Sequence, residues 1–195
     1  DVDSLVIRGR GDLPLDKLKQ LKDNAKKELI NILLDKLKKN DWRAVVVMGE
    51  LKVKEAKQSL IKILKDEFNS SDEQLLTNTA YSIWQITNEE KYVDYIMSLK
   101  RKTKLNTTKI EAISLLSEIW TTKTINCIIE DIDDSDEMIR IAAVINLIER
   151  HNVGLDKATI NYWTDTMLSN NLNVVKKTKK AIIDFFDKNN LTNTP

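Results

Sequence analysis

Proline, glycine, cysteine and histidine are nearly missing from this chain, and each absence excludes something. Two prolines and four glycines occur in 195 residues. From Leu15 to Thr194 there is no proline, and the only glycines are Gly49 and Gly154. A sheet protein needs turn glycines, Asn-Gly pairs and prolines at regular intervals; without them the expectation is helices joined by short polar corners. A single cysteine, Cys127, rules out an internal disulfide, and its setting among isoleucines in TINCIIED predicts a buried, inert thiol. With one histidine, His151, no recurring zinc-ligand set can be assembled. The glycine count also leaves no room for GxGxxG, GxxxxGK[ST] or GxSxG. No run approaches eighteen apolar residues, and no stretch reads as a signal peptide. A chain starting at Asp1 without methionine suits a processed mature form or an excised piece of a longer protein, which leaves the compartment, cytoplasmic or exported, open.

What is present is a balanced, soluble composition. Hydrophobic residues make up 42% and charged residues 31%, and the net charge is +1, within the range of folded globular chains. The charge is unevenly spread: residues 1–67 carry 16 basic and 12 acidic side chains, residues 105–150 carry 4 and 9. An acidic belt between weakly basic ends is not the dense positive surface of a nucleic-acid binder.

Five stretches resemble one another: RAVVVMGEL (43–51), TAYSIWQIT (79–87), EAISLLSEI (111–119), AAVINLIER (142–150) and KTKKAIIDF (177–185). Each sets a small residue four places before a large apolar one: Ala44 and Met48, Ala80 and Trp84, Ala112 and Leu116, Ala143 and Leu147, Thr178 and Ile182. Successive large residues lie 36, 32, 31 and 35 apart, a period of stacked helical repeats. Residues i and i+4 share a helical face, so the valine run at 45–47 is predicted to be helical despite its β-branching. A second amphipathic segment follows each: KVKEAKQSLIKILKDEF, with Ala56, Leu60, Leu64 and Phe68 as its stripe; TNEEKYVDYIMSLK; TTKTINCIIEDI, with Ile125, Ile128, Ile129 and Ile132; and LDKATINYWTDTML. Asp41, Ser71 or Asp72, Asn106, Ser135, and Asn171 or Asn173 fall where helices should start. DNAKKELINILLDKLKK (23–39), with Leu29 or Ile30, Leu33 and Leu37 on its stripe, reads as the second helix of a degenerate first repeat, with LPLDKLKQLK as its short partner. About eleven helices result.

DSDEMIRIAAVINLIER (134–150) resembles the first helix of a HEAT repeat of the PBS-lyase type, through Asp136, Ile139, Arg140, Ala142, Ala143 and Leu147. Residues 41–67 are similar over both helices, including Met48-Gly49, Ala56, Leu60, Leu64 and Asp66, although Arg43 is out of place for the family's arginine. The resemblance spans residues 23–188. It implies an all-α superhelical solenoid of about five to six HEAT-like hairpins over residues 13–188, with an arm at 1–12 and a tail at 189–195. It also implies a contact between Arg140 and Asp136 that keeps neighbouring repeats in register, and a concave face lined by second helices that grips a partner.

Several motifs test for chemistry. EDIDDSDE (130–137) has six carboxylates in eight residues. An EF-hand count from Asp131 puts Asp136 where glycine is required and Ala142 where a bidentate glutamate is required, so the run is expected to be an exposed acidic corner at a helix start. A Cys127–His151 nucleophilic pair would lack an orienting group. GRGD (9–12) contains an integrin-type tripeptide, but three-residue matches arise by chance and a glycine-containing arm needs no receptor to explain it. LKRKTK (99–104) and VKKTKK (175–180) look like solvated helix ends, with Lys100 and Arg101 able to meet an acidic partner. Tyr92, Tyr95 and Trp163 lie on second helices, and aromatics on a concave face suit peptide recognition; Tyr92 and Tyr95 are expected at the groove edge. The resulting expectation is a non-enzymatic scaffold or adaptor for another protein or peptide, without cofactor, metal or membrane. Its candidate contacts are Tyr92, Tyr95, Trp163, Asp165, Lys100 and Arg101. The alternative is a HEAT-like nucleic-acid or alkylpurine-glycosylase-like protein, for which Trp163 and Asp165 would be the echo.

Overall fold

The valine run is helical. A computed structural model of the chain describes residues 14–66, 72–151 and 155–188, with Arg150 and His151 as backbone only. The expected arm, the tail, GRGD, Phe68 and Ser71 lie outside them. Among the described residues the chain is all-α. The order is α1 (Leu15–Lys19), α2 (Asp23–Leu37), α3 (Trp42–Glu50), α4 (Lys57–Asp66), α5 (Glu73–Thr87), α6 (Glu90–Lys102), α7 (Asn106–Glu118), α8 (Thr122–Ile129), α9 (Glu137–His151), α10 (Lys157–Met167) and α11 (Leu172–Lys188). Two 3-10 turns, Lys54–Ala56 and Glu130–Asp133, lead into α4 and out of α8. The chain divides into two compact units, and the division falls within α6, between Tyr95 and Ile96.

In the N-terminal unit α3 packs on α2 and α5, and α4 packs on α5 and touches α2. α2 buries the expected stripe of Leu29, Leu33 and Leu37. α3 buries six consecutive residues, Ala44 to Gly49. Its start is fixed by Asp41, whose carboxylate accepts from the Arg43 backbone N–H at 2.9 Å and from the Arg43 guanidinium at 3.0 Å. α4 buries Leu60 and Ile63, not Leu64, because a four-residue step overshoots the helical repeat by about 40° each time and a three-residue step restores the face. α5 is buried continuously from Leu75 to Ile83. Three of its threonines are accommodated locally: the Thr77, Thr79 and Thr87 hydroxyls donate to the carbonyls of Glu73, Leu75 and Ile83. Such bonds to the preceding turn let hydroxyls enter a core.

Helix ends in this glycine-poor chain use other residues in the left-handed region. Asn40, Lys52 and Asn88 have φ of 55°, 51° and 56°. After α3, Val53 N–H donates to Met48 C=O and Lys52 N–H to Gly49 C=O, a Schellman ending with lysine where glycine is usual.

In the C-terminal unit α7 packs on α9 and α8, α9 packs on α10, and α11 packs on α10 and the Glu130–Asp133 turn. α8 opens with a reciprocal capping box, Thr121 and Thr124 each accepting from the other's backbone N–H. α11 buries Val175, Thr178, Ile182 and Phe186, and Phe185 meets Trp163 edge-on at 5.6 Å. Two expected caps are displaced by one residue. α7 begins at Asn106 itself, after Leu105, and Asp136 rather than Ser135 caps α9, accepting from Met138 and Ile139 N–H.

The repeated pairs can now be placed. All ten residues lie on α3, α5, α7, α9 and α11. Nine are fully or almost fully buried. Trp84 is half-buried, with its ring 5.5 Å from that of Tyr81.

Candidate functional site

A groove in the N-terminal unit is lined by α4 and by the end of α2 with the turn that follows it. Ser59, Lys62, Ile63 and Asp66 follow the i, i+3, i+4, i+7 pattern of one α4 face. Opposite them stand Leu37 at the end of α2 and Lys38 and Asn40 in the turn after it, around a cavity of about 310 Å³. Buried Leu37 and Ile63 give an apolar floor. The rim is polar and of mixed charge. Asn40 closes the turn in its left-handed conformation, and Asp41 immediately starts α3, which fixes the groove wall. Lys38 Nζ donates to Asp35 at 2.7 Å, and that hydrogen bond holds the Asp35 carboxyl below the usual carboxylate range. The groove suits a polar side chain with an aliphatic stem, since the stem meets the floor and the head meets the rim. Sequence reading missed it, because none of these residues is unusual alone; only the ending of α2 beside the α4 stripe brings them together.

The acidic run is organised differently from the expected open corner. Asp131 is buried and ion-paired with Lys100, which is 1% exposed at its side chain. Lys100 Nζ also donates to the Cys127 carbonyl at 2.8 Å. Around this pair, Arg101 forks onto Glu130 at 2.9 and 3.1 Å. Lys109 reaches Asp134 at 2.6 Å, and Lys179 reaches Asp133 at 2.6 Å. Asn106 donates to Asp136 at 2.6 Å. Helices α6, α7 and α11 thus each send donors to one seven-residue segment. Burial pushes the Asp131 carboxyl up, with Lys100 opposing it. Burial also pushes Asp134 up, but the Asp136 backbone N–H and Lys109 outweigh it and its pKa lies below the usual range. Among the described residues no three acid, cysteine or histidine side chains gather as a metal set; cations already stand between the carboxylates.

The Arg140 guanidinium does not meet the Asp136 carboxylate, contrary to what the resemblance implied; only the Arg140 backbone N–H bonds the Asp136 carbonyl. Arg140 is buried, and its guanidinium donates to the Met167, Asp134, Ser135 and Ser169 carbonyls. Asp136 is committed to capping α9. The arginine ties the first turn of α9 to the end of α10 through backbone groups, which its planar fork of donors suits.

The expected contact residues fall into three groups. Tyr92, Lys100 and Trp163 are buried, a correction to the expectation that they are presented. The cause is the width of the α6 stripe: Tyr92, Val93, Ile96, Met97 and Lys100 are all buried, and Lys100 falls four places after Ile96. Trp163 belongs to the face of α10 that buries Thr166 and Met167. Tyr95 is half-buried, and burial raises its phenol pKa. Arg101 and Asp165 are exposed. Trp163 and Asp165, two places apart on α10, do not face each other. The Cys127 thiol is buried and pushed up by that burial, so it stays protonated and a poor nucleophile. The His151 side chain lies outside the described residues. No helix among the described residues is long and apolar enough to cross a membrane.

Compared with protein-family models, with curated proteins and with solved structures, the chain has no match.

Proposed function

We propose that this chain is a HEAT-like superhelical repeat protein acting as a non-enzymatic adaptor, with a protein or peptide segment held on its second-helix face. One observation carries the reading: the α2–α4 groove, with its apolar floor and polar rim, opens between two consecutive second helices. The helical spacing of the buried small and large pairs supports the repeat assignment. Residues Tyr92, Lys100 and Trp163 leave the contact set because they are buried, and Ser59, Lys62 and Lys38 enter it. The test is affinity capture with nuclease treatment, at low and high salt, using the wild type and Ser59→Arg, whose longer side chain fills the groove. A protein recovered by the wild type after nuclease and lost by Ser59→Arg, with an unchanged melting curve, is the expected result. Recovery abolished by nuclease would sink the reading in favour of nucleic acid.

A further inference from the structure

The last described helix, α11, carries a wide apolar arc, and its unit covers only part of it. At about 100° per residue, Val175, Ile182 and Phe186 fall on one line of the helix, and all three are buried. Val174, Ala181 and Phe185 fall on a second line, about 100° round from the first. Val174 is 38% exposed, Ala181 is exposed and Phe185 is half-buried. The Phe185 ring is fixed from behind, edge-on to Trp163 at 5.6 Å and to Phe186 at 5.9 Å. α10 and the Glu130–Asp133 turn pack on α11 and leave this second line partly open. The result is an apolar ridge about 16 Å long on a single helix.

The charges along α11 are divided by position. Lys176, Lys177 and Lys180 lie in its first half, and Asp184 and Asp187 lie near its end beside Lys188. The helix dipole favours the reverse order. Lys179 turns inward to Asp133 at 2.6 Å. Lys177 and Asp184 are exposed and pair with no described residue; two turns apart, they do not reach each other. Both flank the ridge on its solvent side, about 60° and 80° round from its line. When the ridge is laid antiparallel on the same ridge of a second copy, Val174 of each copy meets Phe185 of the other. Lys177 of each then stands opposite Asp184 of the other. The midpoints of these two pairings differ by one residue, about 1.5 Å along the helix, so one two-fold axis serves both. Ala181 lies next to that axis, where its small side chain permits a close approach of the helices. A parallel pairing would set lysine on lysine and aspartate on aspartate, which is unfavourable.

We propose that the α11 ridge is a self-association surface, on which two copies of this chain pair antiparallel through Val174, Ala181 and Phe185 and through two Lys177–Asp184 ion pairs. The surface is smaller than the ~1,600 Å² of a standard interface, so the dimer is weak and reversible. The test is sedimentation velocity of the full chain over a concentration series, in which a monomer–dimer equilibrium is expected. Lys177→Asp and Asp184→Lys each create like-charge contacts across the axis, and each alone should weaken the dimer at least about ten-fold. The double variant should restore it. A one-to-one mixture of the two single variants should also restore it, because one copy then carries both acids and the other both lysines. Ala181→Glu sets carboxylates near the axis at little cost in helix propensity and should abolish pairing. A chain that stays monomeric throughout the series overturns the proposal. So does a dimer indifferent to the single variants, or a mixture that does not pair. Ser59→Arg, in the α2–α4 groove, should leave the dimer unchanged, and its loss there would also overturn the proposal; the two surfaces therefore fail separately. Lys177, Ala181 and Asp184 are exposed, so melting curves suffice to check the variants' folds.

Discussion

At the α3–α5 crossing Gly49 has no side chain, and Ser82 fills the space; at the α7–α9 crossing Ser117 keeps its side chain and hydrogen bonds to Asn146 at 3.0 Å. Both residues directly follow the large member of a repeated pair. A Cβ built on Gly49 would stand 2.6 Å from Ser82 Cβ and 2.5 Å from Gln85 Oε1. One crossing is thus closed by removing atoms, the other by adding a polar bond. The contrast extends to the charges. In the N-terminal unit ion pairs lie on the rim, as with Lys19–Glu50 and Lys57–Glu89, where each contributes little. In the C-terminal unit the Lys100–Asp131 pair is in the core. Apolar packing therefore carries the first unit, whereas the second depends on a polar centre that must be complete.

The largest effect should come from breaking that centre. Lys100→Met leaves a buried carboxylate alone and is expected to cost about 3–5 kcal/mol, read by urea denaturation with amide exchange over residues 96–188. Adding Asp131→Leu should return most of it, because replacing both charges is often neutral; a double variant as weak as the single one would show that shape, not charge, governs the site. The pH dependence has a definite sign. Burial raises the folded pKa of Asp131, and removing Lys100 raises it further. The penalty for a buried charge is therefore full above the folded pKa. It shrinks as pH falls through the folded pKa and is gone below the unfolded value near ~3.9. The difference between variant and wild type should narrow as pH falls from the variant's raised folded pKa toward the unfolded value.

Next comes Gly49→Ala, which forces α3 and α5 apart for about 1–3 kcal/mol. Ser117→Ala, at the matching place in the other unit, loses a hydrogen bond worth about 0.5–1.5 kcal/mol. If the two substitutions weigh equally in thermal melts, the crossings are not different in kind. Smallest is Asp41→Ala, about 1 kcal/mol for a helix cap. Burial pushes Asp41 up, but the Arg43 bonds outweigh it and its folded pKa is lowered. Its contribution is present above the unfolded value and lost as pH falls through the lower folded one. Asp41→Asn keeps a capping oxygen, so it should retain stability at pH 7 and flatten this acid limb.

The helices and the paired core positions were legible because helical spacing survives any choice of side chain. Ala112 with Leu116 and Ala143 with Leu147 needed no tertiary information. Lys100 was misread because lysine is almost never buried without a partner, and its partner lies 31 residues away. The clue was present: the Val93, Ile96, Met97 stripe, continued one turn, lands on Lys100. Asp131 lies between Glu130 and Ile132, within a run in which Glu130, Asp133 and Glu137 are exposed. The groove beside Ser59 was not legible at all. It is made by where α2 stops, and Asn40 gives that stop no sequence signal beyond a turn preference.

Cys127 offers a native reporter on these questions. It is the chain's single thiol, it is 1% exposed, and its own carbonyl is held by Lys100. A thiol reagent can reach it only when α8 opens away from the polar centre. The labelling rate of the unmodified chain therefore measures, without any engineered probe, how often the C-terminal unit comes apart.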